Sequence, residues 1–250
     1  MKNYLKSQIE SFGKSILILF QVFNRGFNLK NFIHEFLRQL ENQGVKSLIV
    51  VFFSAMSIGM VVAVQFGKNI INNFGAEDLI GGFVALAFFR ELAPVFIALV
   101  LAGKVGAAIT AEIGSMKVTE QIDAMQVFNM EPVQFLVAPR LFALLVTGPI
   151  LTIYGLFIAI FSGQLFTNFI LNLNSATFLD SVRLSLVDLD FQIMFIKSIV
   201  FSLLIGSIAS INGLNTKGGS EAVGQQTTKT VVWSFLSIFI SNYIITSIFF

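Results

Sequence analysis

The chain has 250 residues, of which 55% are hydrophobic and 12% are charged, and its formal net charge is +2. A mean hydropathy of +0.82 lies outside the range of soluble globular domains. We therefore interpret the chain as an integral membrane protein with several spans and no room for a soluble catalytic domain. It contains no cysteine, which excludes disulfides, thiolate chemistry and cysteine-based metal or iron–sulfur sites.

The N-terminal region, 1–46, has the pattern of one or two amphipathic helices that lie on the membrane surface. Its first apolar residues recur at steps of three and four, with lysines between them. These residues are Leu5, Ile9, Phe12, Ile16, Leu19 and Phe23. A cleaved signal peptide is the alternative, but the apolar stretch is short and no small-residue cleavage pattern follows it. A second amphipathic piece, around 32–40, is expected to end near Gly44.

Apolar runs after this region predict five transmembrane helices. A bilayer is crossed by about 20 apolar residues, and the second run is longer and includes Arg90, Glu91 and Lys104. The predicted spans are 48–66, 79–110, 134–161, 191–211 and 231–250. The expected fold class is an all-α membrane protein that forms a single domain over 1–250.

The distribution of lysine and arginine predicts the orientation. Short loops rich in these residues stay on the cytoplasmic side, so we place the basic N-terminal region inside. The stretch 104–140 and the loop containing Lys217 and Lys229 then also lie inside. The outer loops contain Glu77 and Asp78 in one case and Asp180, Asp188 and Asp190 in the other, against Lys68 and Arg183. Because the inner loops hold nearly all of the motif-like sequence, we look for function on that face.

The segment GSMKVTEQIDAM, 114–125, places charged residues between two very apolar runs. Thr119 is predicted to be a helix N-cap, with Glu120 in the first turn, where a negative charge suits the helix dipole. Val118, Ile122 and Met125 fall on one side and predict a short helix with an apolar face. Such a helix, in a loop of about 114–133, either displays its polar residues to a cytosolic partner or simply caps the bundle.

Small residues recur at four-residue steps just upstream, in AGKVGAAITAEIG. One row contains Gly103, Ala107 and Ala111, and the adjoining row contains Gly106, Thr110 and Gly114. This spacing lets helix backbones approach closely in a bilayer. The pattern indicates tight packing, either within one chain or between two copies.

Two stretches resemble the signature regions of the MlaE, or YrbE, family of ABC transporter permeases. They are RELAPVFIALVLAGKVGAAITAEIGSMKVTEQIDAMQVFNMEPVQFLVAPR, at 90–140, and GGSEAVGQQTTKTVVWS, at 218–234. The chain departs from the family's usual residues at Lys104, Gln134, Gln226 and Thr230. This family moves phospholipid between bacterial membranes and imports lipid through the plastid envelope.

The resemblance implies that the whole chain is a permease that pairs with a second copy of itself. It implies ABC ATPase subunits on the cytosolic side, an MCE-domain lipid-binding protein on the other side and a membrane lipid as substrate, with no nucleic acid. The polar segment then becomes a coupling helix that contacts the ATPase through Lys117, Thr119, Glu120, Gln121, Asp123 and Met125. The sequence itself contains no G-x-x-x-x-G-K-[ST] loop, so nucleotide hydrolysis is expected in another chain. Many Phe, Ile, Asn and Lys residues favour a plastid inner envelope over a bacterial inner membrane.

Arg90 and Glu91 are costly residues for a membrane span. A charge at mid-membrane costs about 2.5–3.5 kcal/mol on insertion scales, so each needs a partner. Lys197, about two turns into the fourth span, is predicted to meet Glu91 and leave Arg90 free for a phosphate or another acceptor. Pro94 cannot donate to the carbonyl of Arg90 and is expected to loosen the helix there. We interpret these four residues as a lipid headgroup site, with a structural ion pair as the alternative.

Two other classes of function are weighed against the permease. An intramembrane lipid-modifying enzyme needs a nucleophile with a base or paired acids, yet the one histidine, His34, lies in the amphipathic N-terminal region. A channel or secondary transporter typically shows polar residues along several spans or a repeated half, and neither is evident. We therefore predict no catalytic residue, no metal and no cofactor.

Overall fold

A computed structural model describes residues 29–249, which form helices joined by short connections. Five helical stretches in this part of the chain are long and apolar enough to cross a membrane, which confirms the predicted all-α membrane fold. They are Phe32–Phe74, Glu77–Val118, Val133–Leu171, Asp188–Leu214 and Ser220–Phe249. The predicted surface helix from Leu5 to Phe23 lies outside the described residues.

The helices are numbered here in chain order. They are α1 (Leu29–Gln43), α2 (Leu48–Phe74), α3 (Ile80–Ala87), α4 (Ala93–Leu101), α5 (Ala107–Val118), α6 (Gln121–Val127), α7 (Ala138–Leu171), α8 (Ser175–Ser185), α9 (Asp188–Leu214) and α10 (Ser220–Phe249). Three π-helical turns interrupt the longer stretches, at Phe88–Leu92, Ala102–Gly106 and Val133–Val137. Such turns insert a residue into the helical register and are frequent at functional sites.

Several helices extend beyond the apolar runs that predicted them. Helix α2 begins at Leu48 as expected but continues past residue 66 to Phe74, because polar residues at its end do not break the helix. It stops at Gly75, whose left-handed φ of 61° and N–H bond to the Ile71 carbonyl end the helix. Helix α1 ends at Gln43, beside Gly44 as predicted. Hydrophobic runs mark the membrane-compatible part of a helix, not its ends.

The chain divides into two compact units, which are described separately. The first comprises the described residues up to Lys46 together with Leu101–Gly148 and Val200–Ser241. The second comprises Ser47–Val100, Pro149–Ile199 and Asn242–Phe250.

In the first unit, Arg140 anchors α1 through a polar network. The buried guanidinium of Arg140 lies 3.1 Å from the Glu112 carboxylate and donates to the Leu136 carbonyl at 2.8 Å. Glu35 of α1 approaches the same guanidinium at 4.0 Å, and the Gln43 amide donates to the Arg140 carbonyl at 3.2 Å. An amphipathic surface helix is thus held by polar contacts as well as by its apolar face.

In the second unit, small residues on α2 and α7 let these two helices approach closely. The stripe on α2 contains Ala55, Gly59, Ala63 and Gly67, and the stripe on α7 contains Gly155, Ala159, Gly163 and Thr167. A Cβ atom at Gly59 would lie 2.7 Å from the Ala159 Cα, and one at Gly163 would lie 2.9 Å from the Ala63 Cβ. The helices therefore pack backbone against backbone, as membrane helices with small-xxx-small patterns do.

Candidate functional site

A group of polar residues in the second unit forms the first candidate site, which we call the charged cluster. Its members are Arg90, Glu91, Asp190, Lys197, Asn242 and Thr246. Arg90 and Glu91 come from the π-helical turn after α3, Asp190 and Lys197 from α9, and the last two from α10. The rings of Phe89 and Phe191, with centroids 4.5 Å apart, pack the π turn against the start of α9.

Lys197 pairs with Glu91, as the sequence predicted. The ammonium lies 2.9 Å from Glu91 Oε1 and also donates to the Thr246 hydroxyl and to the Arg90 carbonyl, both at 2.7 Å. A lysine has three N–H donors, so each has an acceptor here. Pro94, four residues later, has no backbone N–H and so cannot donate the usual helical hydrogen bond to the Arg90 carbonyl. The helix is locally π-helical at Phe88–Leu92, immediately before Pro94.

Of the two partners predicted for Arg90, a phosphate or another acceptor, the structure contains the second. Arg90 Nε lies 2.7 Å from Asp190 Oδ1, and the other oxygen of Asp190 accepts from the backbone N–H of Val187 at 3.1 Å. Sequence reasoning placed Asp190 in an outer loop, but it lies in the first turn of α9. Asp190 precedes Lys197 by seven residues, so the two side chains lie on the same face of α9, two turns apart. This spacing between an acid and a membrane lysine would have indicated the second pair.

The Glu91 carboxylate receives further donors that the sequence analysis missed. Asn242 Nδ2 donates to Glu91 Oε2 at 2.6 Å, and the Thr246 hydroxyl donates to Oε1 at 2.7 Å. These two residues stand four apart on α10, in an otherwise apolar stretch, so they share a helix face. Polar residues at that spacing in a predicted span are the signal that could have found them.

The charged cluster is electrically balanced but unevenly exposed. Two cations face two carboxylates, and the side chains of Asp190 and Lys197 are 1% and 0% exposed. Those of Arg90 and Glu91 are 36% and 38% exposed. The buried pair therefore fixes the position of the exposed pair, which presents one guanidinium and one carboxylate to whatever lies beside the helices.

The segment 114–125, predicted to contact the ATPase, includes a short helix, α6, in the first unit, but its predicted cap is wrong. Thr119 ends α5, where its hydroxyl donates to the Ser115 carbonyl at 2.9 Å. The residue before α6 is instead Glu120, in a left-handed conformation with a φ of 59°. A threonine hydroxyl can bond back to the preceding turn as well as cap the next one, and here the sharp reversal at Glu120 favours the first arrangement.

The faces of α6 follow the predicted pattern. Ile122 is 2% exposed, and Val118 and Met125 are half-buried, whereas Glu120, Gln121 and Asp123 are exposed. The Asp123 carboxylate pairs with Lys117 of α5 at 2.5 Å. At the end of α6, its last residue Val127 and the following Phe128 are 84% and 75% exposed. These two apolar residues were not singled out from the sequence, although two large apolar residues before the predicted stop at 129–132 were a usable signal.

The two rows of small residues behave differently. In the first unit, a Cβ atom at Gly106 would lie 3.2 Å from Ile205 Cγ2, and one at Gly114 would lie 2.9 Å from Thr216 Oγ1. Gly103 is exposed, and a Cβ atom there would meet no described atom within 4 Å outside its own helix backbone. Ala107 is half-buried. Packing of Gly103 within the chain, one of the two predicted uses of this row, is not observed. The π turn Ala102–Gly106 interrupts the 3.6-residue register that the prediction assumed.

Residues 36–248 match the family described as Permease MlaE. The chain belongs to the MlaE permease family. A probable ABC transporter permease protein of Synechocystis is 39% identical over 214 residues, which cover 86% of this chain and 81% of that protein. The intermembrane phospholipid transport system permease protein MlaE of Haemophilus influenzae is 34% identical over an alignment of 255 positions, which covers 97% of each chain. The family predicted from the two signature stretches is confirmed.

A chloroplast relative is also similar to this MlaE permease. The chloroplastic protein TRIGALACTOSYLDIACYLGLYCEROL 1 of Arabidopsis thaliana is 37% identical over 224 residues, which cover 89% of this chain and 64% of that protein. Similarity thus extends to both bacterial and chloroplast proteins.

Two departures from the family's usual residues have structural partners in the first unit. The buried hydroxyl of Thr230 lies 2.8 Å from that of Thr110 and accepts from the Asn212 amide at 3.0 Å. Lys104 donates to the Lys46 carbonyl. The structure offers no comparable explanation for Gln134 or Gln226.

Proposed function

We propose that this chain is the permease subunit of an ATP-binding cassette transporter that moves phospholipid or a related lipid between membranes. Membership of the MlaE permease family carries the proposal, since one relative is named for intermembrane phospholipid transport. Five apolar helices support a multi-pass membrane subunit. The absence of a phosphate-binding loop from the sequence supports a separate ATPase subunit rather than an enzyme.

The charged cluster is the proposed contact for the lipid headgroup. The exposed guanidinium of Arg90 suits a phosphate, and the exposed carboxylate of Glu91 suits an ammonium or hydroxyl group of the headgroup. Lys197 and Asp190 are buried and act as positioning residues. Because the two exposed charges cancel, the site binds a polar headgroup without the strong attraction that a net charge would add.

Coupling to the ATPase is assigned to α6 and its flanks. Glu120 and Gln121 offer exposed polar groups, while the pair Lys117–Asp123 and the buried Ile122 hold the helix against α5. Val127 and Phe128 add an apolar surface that a cytosolic groove can bury. Thr119 and Met125 support the turn and the underside of the helix.

Family membership supports a proposal for the remaining partners and the location. We propose a second copy of the chain, which packs against the exposed row of Gly103 and Ala107, and an MCE-domain protein on the face opposite the ATPase. The N-terminal region lies on the ATPase side, in a plastid inner envelope or, as the alternative, a bacterial inner membrane. Similarity to a chloroplastic protein supports the plastid.

The deciding experiment is lipid transfer by a reconstituted complex. The chain is purified with its accompanying subunits, placed in vesicles, and assayed for ATP-dependent transfer of a fluorescent phospholipid. We expect transfer with the ATPase and ATP, and none from the chain alone. Arg90→Gln and Glu91→Gln should each slow transfer while the complex stays assembled. Transfer by the chain alone, without nucleotide, would support a channel or secondary transporter and contradict the proposal.

A further inference from the structure

An open groove of about 600 Å³ lies in the second unit between α2 and α7, away from the charged cluster. Its apolar lining consists of Met60, Val61, Val64, Phe166 and Ile170. Gln65 and Lys68 are its two polar lining residues, and both side chains are exposed. The volume falls within the range of about 300–1,000 Å³ that is typical of small-molecule sites.

The helix register explains why the groove is apolar at one end and polar at the other. Val61, Val64, Gln65 and Lys68 recur at steps of three and four, so they share one face of α2. Lys68 lies roughly 9 Å before the end of the helix at Phe74, at 1.5 Å per residue. The groove therefore runs from an apolar stretch toward a cation near one end of a membrane-spanning helix.

Lys68 has no ion-pair partner among the described residues. Every ion pair observed within the described residues joins a carboxylate to a cation other than Lys68. In addition, α2 is exposed along this face, with Val61 61% exposed and Gln65 also exposed. An uncompensated ammonium at the polar end of an exposed apolar groove complements a ligand with an anionic head and an apolar tail.

We propose that this groove binds one membrane lipid with an anionic headgroup. One acyl chain lies against Val64, Phe166 and Ile170, and the Lys68 ammonium contacts the headgroup phosphate, with the Gln65 amide as a second donor. The charge of a lysine near a membrane surface increases the binding of anionic lipid about fivefold. Its methylene stem packs on the apolar wall. No charged-cluster residue lines the groove, so this lipid is held apart from the headgroup contact proposed above.

Photo-crosslinking in nanodiscs tests this site. The purified complex is placed in phosphatidylcholine nanodiscs that contain a trace of phosphatidylglycerol with a photoreactive acyl chain, and no ATP is added. After illumination, mass spectrometry measures the label on peptides that contain Met60–Lys68 or Phe166–Ile170. We expect both peptides to be labelled in the wild type and labelling to fall about fivefold in Lys68→Gln. Because Lys68 is exposed, this substitution should leave the fold intact.

Arg183→Gln is the matched control, since Arg183 is also exposed and lies in the same unit but not in the groove. It should leave the label unchanged. Equal labelling by photoreactive phosphatidylcholine, or unchanged labelling in Lys68→Gln, would overturn the anionic specificity. Unlabelled groove peptides in the wild type would show that a protein partner covers the groove, which also contradicts the proposal. Since no ATP is present, failure of lipid transport leaves this result unaffected.

Discussion

Lys197 donates a hydrogen bond to the backbone carbonyl of Arg90 over a distance of 2.7 Å. Pro94 leaves this carbonyl without its usual helical donor, and an unsatisfied carbonyl in a membrane costs several kcal/mol. A side chain from α9 thus supplies the bond that the local sequence removes. The same ammonium neutralises Glu91, so one buried residue stabilises both a break in the helix and a charge beside it.

Replacement of Lys197 by methionine should therefore destabilise the second unit strongly. It leaves Glu91 without its cation and the Arg90 carbonyl without its donor, and loss of one partner of a buried pair costs about 3–5 kcal/mol. The measurement is the midpoint of thermal unfolding in detergent, monitored by the loss of the helical circular dichroism signal. The double variant Lys197→Met/Glu91→Met removes both charges and should recover much of that loss. A single variant as stable as the wild type would contradict the role assigned to Lys197.

The exposed apolar pair Val127 and Phe128 should matter for assembly and not for stability. These side chains are 84% and 75% exposed, so their replacement by serine removes little packing within the chain. We expect Val127→Ser/Phe128→Ser to reduce copurification of the ATPase by at least tenfold, since a buried aromatic anchor contributes about 2 kcal/mol or more.

A matched substitution controls for loss of exposed apolar area alone. Leu184 is 88% exposed and lies in the other unit, so Leu184→Ser should leave the ATPase bound. If the two variants copurify the ATPase equally well, the surface beside α6 is not the docking site.

The sequence predicts the features that follow from hydropathy and family motifs, and fails where three-dimensional partners decide. Five spans and the Lys197–Glu91 pair are predictable because membrane charges need neutralisation. The Arg90–Asp190 pair was missed because Asp190 was counted as a loop residue, although α9 already begins at Asp188. The cap at Thr119 was misassigned because a hydroxyl can bond in either direction along the chain. The π turns, which change which small residues face inward, leave no clear signal in residue type.

Substitutions at glycines test which helices pack closely within the chain. A side chain at Gly59 would meet the Ala159 backbone and the Ser162 hydroxyl, whereas a Cβ atom at Gly103 would meet no described atom within 4 Å outside its own helix backbone. Gly59→Leu should therefore unfold the second unit or abolish expression, because overpacking against backbone cannot be relieved by rotamer changes. Gly103→Leu should leave the monomer folded and, if a second copy packs there, reduce the dimer fraction in size-exclusion chromatography. Comparable loss of folded protein in both variants would contradict this distinction.

Arg140 should hold α1 in place more strongly than the neighbouring Arg38 does. Its side chain is 3% exposed and bonds Glu112 and the Leu136 carbonyl, whereas the side chain of Arg38 is 65% exposed and pairs with Glu35 at 3.3 Å. Loss of a buried, charged hydrogen-bond donor costs about 1.5–3 kcal/mol, but an exposed pair contributes about 1 kcal/mol or less. Arg140→Gln should thus expose α1 to limited proteolysis at protease concentrations that leave Arg38→Gln and the wild type intact. Equal cleavage of the two variants would mean that apolar contacts, such as that between Phe32 and Phe142 with ring centroids 5.8 Å apart, hold α1 without the polar network.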